Sequence, residues 1–232
     1  RKRKRSFTIM NKLNHVAFIM DGNGRWGKKK NKNRNSGHFA GVQTVKKIVE
    51  ASIKLKIPTV TFFVFSTENW KRPKSEINFL FNLVNSYFKS ELKNVIKNEI
   101  KINIIGELNK LPNKLKSVLK ETVKKTKKNK KILVNLALNY GSKKELINTF
   151  KKIKIKKMTE NIVKNNLYTK NIPDPDILIR TGGKKRLSNF MLWQLAYSEL
   201  YFLDKLWPDF KAQDLSKILK HFHKTKRNFG AI

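Results

Sequence analysis

The sequence contains no cysteine. Disulfide bridges are therefore excluded, and a chain of 232 residues has no need of them. A domain of this size buries roughly 70–75% of the surface that its unfolded form exposes. The absence agrees with a reducing compartment, and the expected location is cytoplasmic. Long hydrophobic runs are also missing: no apolar stretch approaches the roughly 20 residues that a membrane span requires. The basic start, Arg1 to Arg5, is followed by no long apolar stretch before Asn11, so no secretory signal is read there. Nor is there a Walker A loop, a Gly-x-Gly-x-x-Gly fingerprint, or a zinc, helix-turn-helix or RNA-recognition signature.

Acidic residues are few, 16 against 53 basic, and the formal net charge is +37. That charge would suit a basic nucleic-acid-binding module, which is the alternative reading. Its distribution favours compositional drift, because Lys and Asn recur along the whole chain, as in Lys128–Lys131 and Lys164–Asn166. No specific nucleic-acid partner is expected. Arginine is scarce, nine against 44 lysines. Arg1, Arg3, Arg5 and Arg227 lie near the ends. The other five, Arg25, Arg34, Arg72, Arg180 and Arg186, each fall in or just beyond a loop that follows an apolar, strand-like run. In a chain that otherwise chooses Lys, the planar guanidinium fork at these places suggests bidentate phosphate binding.

Strand-like runs alternate with helical patterns. Strands are predicted at Val16–Met20, Thr59–Phe65, Lys101–Ile105, Ile132–Leu138, Asp176–Ile179 and Leu200–Leu203. Helices are predicted at Gly41–Leu55, Ser75–Asn98 with Ser75 as cap, Pro112–Lys127, Ser142–Ile155, Phe190–Tyr197 and Ala212–Lys226. A basic, weakly patterned stretch runs on to Asn171 and reads as a surface connection. Uniformly apolar strands separated by helices imply an α/β fold: a single domain with a central, mostly parallel six-stranded sheet flanked by helices. Residues 1–14 read as a basic extension expected to be poorly ordered, and 15–232 as the domain. Ligands of such sheets bind beyond the carboxyl ends of the strands, and the polar, Gly-rich clusters fall there.

Three clusters could carry chemistry. Asp21-Gly22-Asn23-Gly24-Arg25 follows the first strand; its glycines let backbone N–H groups approach an anion, and its carboxylate suits Mg²⁺ rather than a bare phosphate. A plain tight turn is the competing reading. The second, Phe65 to Pro73, carries Ser66, Thr67, Glu68, Asn69, Trp70 and Arg72 past a buried strand. The third, Arg180 to Phe190, offers Arg180, Arg186, Ser188 and a Gly pair as a diphosphate cradle. Glu199 lies in an apolar setting where it needs a partner, either a metal or a salt bridge. His15 reads as structural, whereas His38 lies near where a phosphate would sit.

Taken together, His15–Trp26 (HVAFIMDGNGRW), Gly37-His38, Phe65–Pro73 (FSTENWKRP), Asn139–Gly141 (NYG), Arg180–Gly183 (RTGG), Arg186–Phe190 (RLSNF) and Glu199–Phe202 (ELYF) resemble the cis-prenyltransferase family, most closely its bacterial undecaprenyl diphosphate synthase branch. The resemblance runs from His15 to the C-terminus. It implies Mg²⁺-dependent condensation of isopentenyl diphosphate with an allylic diphosphate, commonly farnesyl diphosphate, to a cis-polyprenyl diphosphate for the cell-wall lipid carrier. Asp21 would hold Mg²⁺, with Glu199, of the same chain or of a partner subunit, as a second ligand. Gly22, Asn23, Gly24, Arg25, Trp26, Arg34 and His38 would bind the allylic diphosphate. Arg180, Arg186, Leu187 and Ser188 would bind isopentenyl diphosphate, and Ser66, Thr67, Glu68, Trp70 and Arg72 would complete the substrate site. Asn69 is the implied catalytic partner of Asp21, read as a positioning group because a neutral amide is a poor base.

The resemblance also implies a homodimer, an apolar tunnel for the prenyl chain lined by the Ser75–Asn98 helix, and transient contact with a membrane surface for product release. Lys184 stands where the family commonly has an acidic residue. A non-catalytic partner subunit is the other alternative, and the presence of Asp21 and the Arg180–Gly183 segment argues against it. An all-helical trans-prenyltransferase is excluded, because its Asp-Asp-x-x-Asp pattern is absent.

Overall fold

The computed structural model describes residues 11–30, 32–153 and 158–227. Six strands form one sheet in the order β3-β4-β2-β1-β5-β6, and every neighbouring pair is parallel. The strands are β1 His15–Ile19, β2 Thr59–Ser66, β3 Ile100–Ile105, β4 Ile132–Tyr140, β5 Ile177–Arg180 and β6 Glu199–Phe202. The "mostly parallel" sheet is thus entirely parallel, and all strand exits lie along one edge. The chain winds one way from β1 to β2 and the other way from β1 to β5, so β1 is a switch point where a crevice opens.

The apolar runs form strands because both of their faces are covered. Along β1, Val16 and Phe18 enter one core and Ala17 and Ile19 the other, as the two-residue period of a strand requires. The first core is closed by α2 Arg34–Lys54, α3 Lys74–Lys97, α4 Asn113–Thr126 and α7 Ala212–Lys224. The second is closed by Ile172, Phe190, Met191 and Leu195, with Phe190 stacked on Phe63 at 4.4 Å between ring centroids. Full burial of a side chain such as Phe18 stabilises the fold by about 1.5–3 kcal/mol.

Several expectations change. The Asp-Gly-Asn-Gly segment leads straight into a short helix, α1 Asn23–Lys29. α2 begins at Arg34 rather than Gly41, because the Asn33 side chain accepts a hydrogen bond from Ser36 N and caps it. Gly37 and Gly41 therefore lie inside a helix, where they serve close packing: a Cβ on Gly37 would come 1.9 Å from the Asn23 carbonyl oxygen. α3 starts one residue before Ser75, whose side chain does not cap it.

Phe190–Tyr197 is not a helix but a series of turns. Ser188, Asn189 and Met191 have positive φ. The segment also bonds outward: Leu192 N donates to Ser142 Oγ at 3.0 Å, and Asn189 O accepts from Ser142 N at 2.8 Å. The stretch read as a surface connection contains α6 Glu160–Asn166, and α5 is Ser142–Lys152. Ile155, the predicted end of that helix, lies outside the described residues.

Of the basic extension, residues 1–10 lie outside the described part. Asn11 and Asn14 are tied down. Asn11 Nδ2 donates to the Phe222 carbonyl at 3.0 Å, and Asn14 N donates to Asp176 Oδ2 at 2.7 Å. Among the described residues, no helix is long and apolar enough to cross a membrane.

Candidate functional site

A cavity of about 660 Å³ opens at the carboxyl edge of the sheet, over the β1–β5 crevice. That size is ordinary for a small-molecule site. Its walls include all five non-terminal arginines, Arg25, Arg34, Arg72, Arg180 and Arg186, together with Asp21, Gly22, Asn23, Gly24, His38, Ser66, Glu68, Asn69 and Ser188.

Asp21 sits between two guanidiniums. Arg25 Nη2 donates to its Oδ1 at 3.2 Å and Arg180 Nη2 to its Oδ2 at 3.1 Å. Gly22 has φ 108°, which lets the chain turn out of β1 into α1. A Cβ on Gly24 would come 2.7 Å from the Arg34 guanidinium, so Gly24 admits that side chain to the cavity. Arg180 Nη1 donates to the Arg186 carbonyl and, at 2.8 Å, to Ser188 Oγ, which ties the third cluster to the first. Ser66 N donates to Asn69 Oδ1 at 3.1 Å and fixes the Asn69 amide at the cavity wall.

Two residues that the sequence reading passed over organise this wall. Glu76, buried at the start of α3, accepts hydrogen bonds from Arg34 Nε (3.0 Å) and Nη2 (3.1 Å), Arg72 Nη1 (3.2 Å) and His38 Nε2 (3.2 Å). Burial alone would push the Glu76 carboxyl up. Hydrogen bonding and charge from Arg34, the Arg72 charge and the His38 bond outweigh it and hold the group below its usual range. His38 is pushed down by burial, with Glu76 opposing, so its imidazole is mostly neutral at neutral pH. Asn189 Nδ2 donates to Glu68 Oε1 at 2.8 Å, while Asn189 Oδ1 accepts from Lys143 N at 2.9 Å. It thereby joins three post-strand loops. The available signals were the four-residue spacing from Arg72 to Glu76 and the place of Asn189 beside Ser188.

Five predicted residues lie elsewhere. Trp26 turns away and donates its indole N–H to Asp209 Oδ1 at 2.8 Å. Trp70 packs edge-on to Phe65 and Phe81 and bonds Asn139, so what it covers is core. Thr67 lies against Gly141, and Leu187 packs on the second core. Glu199 opens β6, paired with Ile177 at the amino end of β5. Through Ile177, Glu199 is level with Val16, whereas Asp21 lies past the carboxyl end of β1, so strand direction separates the two by more than about 10 Å along the sheet. In its own chain Glu199 lies 4.0 Å from Arg227 Nε.

His15 is structural, as expected. Its Nδ1 contacts the Pro173 carbonyl and its Nε2 the Thr61 hydroxyl, both at 2.6 Å. Burial pushes it down to about 4. The neutral ring then donates from Nδ1 and accepts at Nε2.

The residues present fit a hard divalent cation only in part. Among the described residues no group of three or more His, Cys, Asp or Glu gathers to hold a metal. The Glu68 carboxylate on the wall is bonded to Asn189, while Asp21 offers a carboxylate at the cavity floor, beside cationic side chains suited to phosphate. That is the donor set of Mg²⁺, which takes one or two carboxylates and completes its shell with substrate phosphates and water.

Two smaller apolar cavities adjoin. One of about 110 Å³ shares Met20, Asn23, His38, Val64 and Leu80 with the main cavity and is otherwise walled largely by α2, α3 and the sheet. The next, about 180 Å³, shares Val45, Tyr87, Phe88 and Leu136 with it.

Comparison with known proteins gives the family. A profile of the undecaprenyl diphosphate synthase family (Prenyltransf) matches residues 19–230. The chain is 44% identical to an isoprenyl transferase from Helicobacter pylori over 230 residues, covering 96% of this chain and 98% of the relative. It is 42% identical to an isoprenyl transferase from Clostridium tetani over 227 residues, covering 94% and 89%. Among solved structures, lavandulyl diphosphate synthase from Lavandula x intermedia, in complex with dimethylallyl diphosphate, superposes with a TM-score of 0.89 at 32% identity, covering 94% of this chain and 98% of that one. A "probable undecaprenyl diphosphate synthase" from Campylobacter jejuni gives a TM-score of 0.81 at 37% identity, covering 95% and 100%. The chain therefore belongs to the undecaprenyl diphosphate synthase family of isoprenyl transferases and is a prenyltransferase acting on isoprenoid diphosphates.

Proposed function

We propose that the protein condenses isopentenyl diphosphate with an allylic diphosphate, farnesyl diphosphate first among candidates, and repeats the step to build undecaprenyl diphosphate for a cell-wall lipid carrier. The observation that carries this reading is the convergence of five arginines and Asp21 on one cavity that adjoins apolar space. The dimethylallyl diphosphate bound to the Lavandula enzyme supports an allylic diphosphate here.

In the reaction the allylic carbon bonds to the terminal methylene of the isopentenyl unit. The allylic diphosphate leaves with the bonding electron pair, and the isopentenyl unit loses a proton. Negative charge grows on the leaving diphosphate, and preorganised cations that stabilise such charge are usually the largest catalytic contribution. Arg34 and Arg72, braced by Glu76, would hold the allylic diphosphate beside the Gly22–Gly24 backbone, and His38, which gives its one ring N–H to Glu76, would steady that brace. Arg180, Arg186 and Ser188 would hold isopentenyl diphosphate. Asp21 would hold Mg²⁺, which when bound supplies Lewis-acid stabilisation of the departing charge. Asn69 positions the isopentenyl unit, and a diphosphate oxygen takes the proton.

The apolar cavities beside α3 would receive the growing hydrocarbon. A homodimer is part of the reading, since only a second copy could bring Glu199 to Asp21. Transient membrane contact for product release follows from the lipid product, and a cytoplasmic location is part of the same reading.

The test is incubation with farnesyl diphosphate, labelled isopentenyl diphosphate and Mg²⁺, followed by chain-length analysis. An undecaprenyl-length product that disappears in Asp21→Ala supports the reading. Absence of polyprenyl product sinks it, and short products alone would remove the lipid-carrier role.

A further inference from the structure

Both carboxylate oxygens of Asp21 are already engaged, and the two arginines that engage them are held very differently. Arg180 is 4% exposed, and besides Asp21 it bonds the Arg186 carbonyl and Ser188 Oγ. It is a fixed part of the floor. Arg25 is 48% exposed, rises from α1, and besides Asp21 Oδ1 its Nη2 donates to the Gly182 carbonyl at 2.7 Å. It can leave Asp21 without disturbing the core.

A divalent cation needs a carboxylate lone pair that is not already shared with a cation. A guanidinium hydrogen-bonded to Oδ1 takes one of the two lone pairs of that oxygen and places a positive charge against any cation that would share it. A diphosphate entering the cavity presents oxygens that match the guanidinium fork better than one carboxylate oxygen does. We propose that Arg25 is an exchangeable counter-ion that keeps Asp21 closed to a divalent cation until a diphosphate draws the guanidinium away. This rests on the reading above that Asp21 is the metal-holding carboxylate. Arrival of the diphosphate then does two things with one side chain: it gains Arg25, and it releases Oδ1. Because the coupling is reciprocal, whatever the diphosphate gains in cation affinity at Asp21 the cation returns in diphosphate affinity. Cation and diphosphate load as a unit, and Asp21 is compensated at every stage.

The test uses the full chain without any diphosphate and Mn²⁺ alone as probe, with free Mn²⁺ followed by electron paramagnetic resonance. The wild-type protein is expected to show no stoichiometric site below millimolar Mn²⁺. Arg25→Gln should gain one site binding at least tenfold more tightly, and the gain should vanish in the double variant Arg25→Gln, Asp21→Asn. Arg34→Gln removes a cavity arginine that bonds Glu76 rather than Asp21, so, like the wild type, it should show no stoichiometric site below millimolar Mn²⁺. Circular dichroism checks that each variant is folded, and Arg25→Ala replaces the Gln variant if it is not. The proposal is overturned if wild type binds one Mn²⁺ as tightly as Arg25→Gln, if Arg25→Gln gains no site, or if Arg34→Gln gains as much. The readout involves no catalysis. Missing polyprenyl product would sink the proposed reaction without touching this result, and a silent Arg25→Gln titration beside normal Mg²⁺-dependent product would sink only this inference.

Discussion

Replacing Glu76 by Gln keeps the shape of the side chain and removes its charge. In the native structure that charge receives a two-pronged Arg34 fork, Arg72 and His38. Breaking a fully buried ion pair costs about 3–5 kcal/mol. Glu76 is 10% exposed, but Arg34 and Arg72 are 45% and 34% exposed, so solvent screens part of the loss. A cost of about 1–3 kcal/mol follows, which lowers the thermal midpoint by roughly 3–10 °C for a chain of this length. The functional consequence is directional. Arg34, Arg72 and His38 lose their common brace, so KM for the allylic diphosphate should rise about tenfold, equivalent to about 1.4 kcal/mol. KM for isopentenyl diphosphate, held by Arg180, Arg186 and Ser188, should stay nearly constant. Thermal denaturation and steady-state kinetics with each diphosphate varied in turn measure both. If the midpoint and both constants are unchanged, Glu76 is not a brace. If the primer instead binds more tightly, net positive charge outweighs geometry at this wall and the reasoning is wrong.

The folded-state pKa of His15 is lowered to about 4 from an ordinary 6.5. Its contribution is therefore complete above about pH 6.5 and lost as pH falls towards 4, worth up to about 3 kcal/mol. Wild type should lose thermal stability across that window, and a folded His15→Gln variant should lose less there; parallel curves would refute the assignment. Tyr87 walls both apolar cavities, and burial, with Glu91 and Glu50, pushes its phenol up to about 12, keeping it uncharged. Tyr87→Ala joins the two spaces and should lengthen the polyprenyl products, as read by mass spectrometry; an unaltered length distribution with elongation intact would show that the chain does not grow along α3.

Much of the fold was legible because burial leaves a local trace. The runs at Val16–Met20, Thr59–Phe65 and Ile132–Leu138 correspond to the central strands β1, β2 and β4, whose two covered faces favour mostly apolar side chains; among the buried polar exceptions, Thr61 and Asn135 bond each other, and Thr61 also bonds His15. The five arginines were legible for a different reason. A chain rich in lysine spends a guanidinium where a planar fork is required, and all five line the one cavity.

What the sequence by itself determined, then, was the set of strands, their alternation with helices, and which polar clusters stand at strand exits. Tertiary structure alone decided which of those groups meet. Glu76 serves Arg34 across 42 residues only because α3 starts beside the start of α2. Asn189 joins three loops only because Ser188, Asn189 and Met191 take left-handed conformations that replace the helix expected at Phe190–Tyr197. Glu199 lies away from Asp21 because β6 runs parallel to β5 and presents its first residue at the opposite edge of the sheet. Periodicity records whether a side chain is buried. Which partner it finds depends on strand direction and helix crossing, which are fixed by contacts far apart along the chain.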